Sequence, residues 1–443
     1  MRTLSRRVLS LLALLSAMSG CYRHHSRTEL DDAGTEQDAT AADGAIDDAG
    51  PPPPCTITCP SPILLAQSTL PWVSAVPWAV VGIAASDERV AVLTAEQLDG
   101  GTEDAHYTLY LYSGDGSTLS RVPLRGTVSN VQSIDGILIA QPNSFVAVVL
   151  WRRGVRDERR AGLALIEWSI DGALRRQEDV LELPSLAEPD CPSCSVHASF
   201  VRQGEEVMVM IVEGDVLRTA RLDLTSASAS LVEAAALPFT RRRGEPVSGS
   251  SDGGRTIAAM GGTAAGAPPG EAALITIEDG TGLTIEQVPG VTNDPPPRLA
   301  PSGATLWRFV TDPARAIDSA ILGWEIGGRG LSEPAWTIPT AMGFPPTNLQ
   351  ILDGPVGPSI VWSGLDLTDP ERSDLYLVPL EGEVAGCDRI QPARVASFPW
   401  ALRLAADQPF AAMRFDDEVL VAVLGEAVGN STLALLRLPS CAR

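Results

Sequence analysis

FVAVVLWRRGVRDERRAGLALIEWSIDGALRRQEDVLEL, residues 145–183, holds three strand-like runs in a fixed order. The first, 145–151, is continuous and apolar. After a polar excursion, 163–170 alternates apolar and polar residues, Asp171-Gly172 forms a tight turn, and 173–183 alternates again. Alternation on both sides of Asp-Gly is the signature of a hairpin in a half-buried antiparallel sheet.

The unit recurs along the chain. Strand-like apolar runs begin near Arg89, Phe145, Glu206, Thr256, Thr305, Ser359 and Glu418, spaced 49 to 61 residues apart. Each is followed by an alternating run such as YTLYLYS, LALIEWS or DLYLVPL. Asp115-Gly116, Asp171-Gly172 and Asp279-Gly280 follow such strands, and Glu381-Gly382 takes the same place. Forty glycines and 35 prolines punctuate short strands, and helical periodicity is hard to find after Pro54. A repeat of this length with four short strands per unit predicts an all-β fold, a seven-bladed β-propeller over 55–443. The last unit lacks an outer strand, and the run 63–70 has strand character, so the ring is expected to be closed by an N-terminal strand pairing Leu70 with Thr432.

Charge and composition exclude several function classes. The formal net charge of -22 repels phosphate backbones, so nucleic acid is not an expected partner. The sequence contains no lysine, which removes Schiff-base and P-loop lysine chemistry. Of four histidines, His24 and His25 precede the folded body, leaving His106 and His197, both assigned to loops, too few for a three-histidine zinc centre. With no H-E-x-x-H or G-x-S-x-G motif, neither metal nor cofactor is expected and no catalytic residue is assigned.

Arg2, Arg6 and Arg7 precede an apolar run at 8–17, too short to span a bilayer and suited to a secretory signal over 1–20. The run ends in Ala17-Met18-Ser19-Gly20-Cys21. This resembles the lipobox of bacterial lipoproteins and implies lipidation at Cys21 and attachment to the cell envelope, by resemblance to enteric lipoproteins at the outer membrane. Residues 21–54 carry eight acidic residues, almost no large apolar one, and four closing prolines, which predicts a disordered tether. Membrane contact is then expected only through the lipid.

Six further cysteines, Cys55, Cys59, Cys191, Cys194, Cys387 and Cys441, are disulfide candidates in an exported chain. Pairing Cys59 with Cys441, Cys55 with Cys387 and Cys191 with Cys194 suits the closing strand. Cys55 with Cys59 and Cys387 with Cys441 remains open.

The stretches Ser251-Asp252-Gly253-Gly254-Arg255-Thr256 and Ala300-Pro301-Ser302-Gly303-Ala304 resemble turns of WD40-like and TolB-like propeller repeats. Residues 250–256 also resemble the Asp-box of sialidase-type propellers, with Ile257 in the aromatic place. In that family the box is a structural turn, so both resemblances imply a fold rather than an activity. Asp366, Asp369 and Asp374 could hold calcium or simply form a polar loop. Arg152, Arg153, Arg156, Arg159, Arg160 and Arg241 to Arg243 are solvated charge or a docking point for an acidic glycan or protein. The tryptophans at 151, 168, 307, 324, 336 and 362 are expected between blades. The functional reading is a lipid-anchored binding or assembly module for an unknown protein or glycan, favoured over an enzyme. The alternatives are an envelope enzyme, for example a glycan-directed hydrolase, using acids of the central channel, and a purely structural component.

Overall fold

A computed structural model describes residues 55–438 apart from 71–78, 98–104, 124–134, 154–159, 184–195, 242–246, 265–271, 289–296, 312–318, 341–347, 380–389, 403–408 and breaks of one to three residues. The described residues belong to one compact unit, Pro53–Arg443. The signal, Cys21, the tether with His24 and His25, and Cys191, Cys194, Cys387 and Cys441 lie outside the described residues.

Among the described residues every regular element is a strand. Six sheets follow one another along the chain, spanning 79–123, 136–182, 196–236, 239–288, 298–340 and 348–398. A further, composite sheet joins 401–438 to the early strand Ile63–Leu70. The innermost strands are Ala79–Ala85, Gly136–Gln141, Val196–Gln203, Ser248–Asp252, Arg298–Leu299, Asn348–Leu352 and Phe410–Phe415. Each touches the next, and the last touches the first, which makes the body a β-propeller.

The expectation of a seven-bladed propeller closed by an N-terminal strand is corrected: six blades, not seven, are built from the chain in order, the strand Ile63–Leu70 joins 401–438 in a composite sheet, and only five sheets have four strands. In the two five-stranded sheets one long strand carries two short strands along the same edge. Arg255–Ala264 is 10 residues long, and its inner edge is covered first by Phe239–Arg241 and then by Ser248–Asp252. In the composite sheet Ala401–Leu402 and Phe410–Phe415 share the edge of Glu418–Ala427 in the same way. A two-stranded parallel ribbon, Cys55–Thr56 with Ile390–Gln391, forms a sheet of its own, and its second strand touches the outer strand Trp336–Thr340.

The apolar runs at Arg89, Phe145 and their equivalents are the second strands of their sheets, each flanked by an inner and an outer strand. That position explains why they do not alternate. In Glu206–Glu213 the six central residues are all buried, odd and even alike, because adjacent sheets cover both faces. The outermost strand Leu174–Glu182 reads mostly exposed. Trp168, Trp307, Trp324 and Trp362 are fully buried, and Trp336 stacks on Trp307 at 5.2 Å.

The hairpin at Asp171-Gly172 is closed by a Ser169 N–H to Ala173 carbonyl bond of 2.8 Å. Gly172 adopts φ 87°, a conformation that costs a residue without Cβ nothing. Ile63–Leu70 runs antiparallel to Asn430–Leu438. Leu70 faces Ser431 rather than Thr432, and an irregularity between Leu64 and Ala66 shifts the ladder so that Ile63 faces Arg437.

Candidate functional site at the inner strands of the second and third sheets

An innermost strand has an unpaired edge, and its free N–H groups need acceptors. The propeller supplies them from the neighbouring sheet. Ser199 Oγ accepts the Gly249 N–H at 2.8 Å, and Ser248 Oγ accepts the Leu299 N–H at 2.9 Å. Gln350 Oε1 accepts the Ala412 N–H at 2.8 Å while its Nε2 donates to the Phe410 carbonyl at 2.8 Å. Between the second and third sheets the acceptor is charged: Asp135 Oδ2 takes the Ala198 N–H at 2.8 Å.

That carboxylate has a second neighbour. His197 Nδ1 lies 3.5 Å from the same Oδ2, with both side chains buried. The Asp135 carbonyl accepts the Leu150 N–H at 2.9 Å, which fixes the start of the Gly136–Gln141 strand. His197 is second in Val196–Gln203, opposite Val212. Its Nε2 is buried and meets no hydrogen-bond partner. Leaving such a group unsatisfied costs about 1–3 kcal/mol. A carboxylate beside Nδ1 favours the tautomer with its proton there, which leaves Nε2 a lone pair to accept a donor or take a proton.

His197 is therefore a strand residue rather than a loop residue. His106 is also placed in a strand, Ala105–Ser113, opposite Glu96. Sequence reasoning missed Asp135, whose signal is a lone acid just before the apolar strand GILIAQ, matching the place of His197 before ASFV.

Of the proposed calcium aspartates, Asp366 faces Asp369 across the Ser359–Asp366 and Asp369–Pro379 strands. Asp374 is buried, its Oδ2 3.5 Å from Arg394 and accepting the Tyr376 hydroxyl at 3.4 Å. No group of three metal-ligating side chains occurs among the described residues. Arg152 and Arg153 end the strand Ser144–Arg153 and Arg241 ends Phe239–Arg241, whereas Arg156, Arg159, Arg242 and Arg243 lie outside the described residues. Arg160 pairs with Glu182 at 3.2 Å in the open. The Asp-box-like stretch is the hairpin between Ser248–Asp252 and Arg255–Ala264. Cys55 sits in the parallel ribbon, and Cys59 is disulfide-bonded.

No family model and no curated protein matches the chain. Among solved structures it is similar to the β-propeller domain of the Trilobed protease from Pyrococcus furiosus, at 9% identity and TM-score 0.45, covering 82% of this chain and 95% of that one. The Dos1 propeller gives 10% identity, TM-score 0.43 and coverage of 84% and 94%. Trypanosoma rangeli sialidase gives 10% identity and TM-score 0.42 over 73% of this chain, which spans 56% of the sialidase. The propeller assignment rests on the sheet order above. The leaning against an enzyme is withdrawn, because a propeller body is no ground for excluding catalysis.

Proposed function

We propose that the protein is an exported, lipid-anchored propeller of the cell envelope that binds a hydroxyl-rich ligand, an envelope glycan, against His197. The observation that carries this reading is the buried His197–Asp135 pair with Nε2 left unpartnered. A sugar hydroxyl is a suitable donor to that nitrogen. The same pair favours a second reading, hydrolysis, because an imidazole oriented by a carboxylate can take a proton from an attacking water. The version that used paired acids of the central channel has less support: the described innermost strands bring no two carboxylates together, and the acid at this place is joined to a histidine.

Soluble cell-wall muropeptides serve as the probe, with wild type and His197→Gln compared by calorimetry and by release of reducing ends. Binding weakened about tenfold or more in His197→Gln, which is about 1.4 kcal/mol or more, supports the site. Equal binding by both proteins, or none by the wild type, sinks it. Reducing ends released by the wild type alone select the hydrolytic reading. Cells fed labelled fatty acid test the address, with label expected on the wild type and none on Cys21→Ser.

A further inference from the structure

The composite sheet ends on its outer side at Ile63–Leu70. One edge of this strand is taken by Asn430–Leu438, and among the described residues no strand pairs with the other. Its outward N–H and C=O groups therefore form a row to which a further strand could add.

Every sheet around the ring has an outermost strand, and in the other six a charged residue or a proline stands against such pairing. These are Arg121, Arg175, Glu233, Glu286, Pro339 and Arg394. ILLAQSTL has neither a charge nor a proline. Its first two side chains, Ile63 and Leu64, are 48% and 53% exposed. Leu231 and Val232 are also exposed neighbours, but they lie beside Glu233. Arg437, opposite Ile63 on the inner neighbour, is met by Glu418 at 3.2 Å. We propose that Ile63–Leu70 is a dimerisation edge, pairing antiparallel with the same strand of a second copy of this chain.

Self-complementarity and charge argue for a second copy as the occupant. A strand laid antiparallel to its own copy about a two-fold axis offers each outward N–H an outward carbonyl, and the contact closes at two copies. Beyond the irregularity between Leu64 and Ala66 the ladder with Asn430–Leu438 keeps register to Leu70, so the outward edge is regular over that length. A chain of net charge -22 repels its like, and the repulsion is weakest along a strip that carries no charge. Pairing there covers Ile63 and Leu64 of both copies and continues the composite sheet across the axis.

Sedimentation equilibrium of the full-length chain, carrying Cys21→Ser so that no lipid drives association, is the test. A reversible dimer is expected, and it should tighten as salt screens the repulsion between two acidic bodies. Leu64→Glu in the same background should raise the dissociation constant about tenfold or more, whereas Leu231→Glu should leave it unchanged. Amide hydrogen exchange reads the same edge without a variant: protection of 63–70 should rise with protein concentration while that of 174–182 stays constant. A chain that stays monomeric, a dimer that Leu64→Glu leaves intact, or protection of 63–70 that ignores concentration overturns the proposal. So does protection that appears only when a different protein or peptide is added, which would make the strand a peptide-docking edge. If Leu64→Glu does not fold, exchange of the unsubstituted edge still decides.

Discussion

Asp353, just after the innermost strand Asn348–Leu352, accepts the Ser302 hydroxyl at 3.2 Å. The residue is exposed, but partial desolvation of its carboxyl pushes the pKa above the ordinary 3.8, and the hydrogen bonds from Ser302 only partly offset that. An acid whose folded pKa is raised contributes stability that is full below its unfolded pKa and is lost as pH rises through the folded value. Asp353→Asn keeps an acceptor for Ser302 and removes the charge. Thermal melts should show the variant equal to or more stable than wild type at neutral pH, with the gap closing as pH falls towards 3.8. A wild type that is the more stable at neutral pH would contradict this. His197 and Asp135 teach a related lesson: the sequence alone places His197 in a loop, and no local pattern reveals that the imidazole meets a carboxylate 62 residues earlier.

Among elements, the innermost strands depend on their neighbours more than on themselves. Arg298–Leu299 is two residues long, too short to be found by periodicity, and it holds its place through Ser248 from the preceding sheet. Ser248→Ala leaves the Leu299 N–H without that acceptor, and chemical unfolding should show a loss of about 0.5–1.5 kcal/mol. Ser226→Ala, in the turn before the outermost strand Ser228–Ala236, is a fitting control and should fall within about 0.5 kcal/mol, since its hydroxyl is exposed and bonds only within its own turn, to Ser228 and Asp223. If the two variants behave alike, the bonds between inner strands contribute nothing special. The second strands were legible because burial on both faces makes their apolar runs continuous. The short inner strands were not, because two residues are too few to show alternation.

For the whole molecule, the decisive contact is between distant parts of the chain. Removing 55–70 should leave the edge of Asn430–Leu438 bare and the exposed Ile63 and Leu64 absent. The shortened chain is expected to lose its cooperative melt and to associate, which light scattering and calorimetry would read. A monomeric, cooperatively folding product would show that the composite sheet stands without its outer strand. The sequence by itself determined the all-β class, the repeat spacing, the Asp171-Gly172 hairpin and the burial of the tryptophans, because each depends on local pattern: alternation, turn chemistry and apolar runs. Only the tertiary structure decided where fifth strands fit, the register that faces Ile63 with Arg437, and the meeting of His197 with Asp135. Those features depend on ring closure, which brings together residues that no local pattern links.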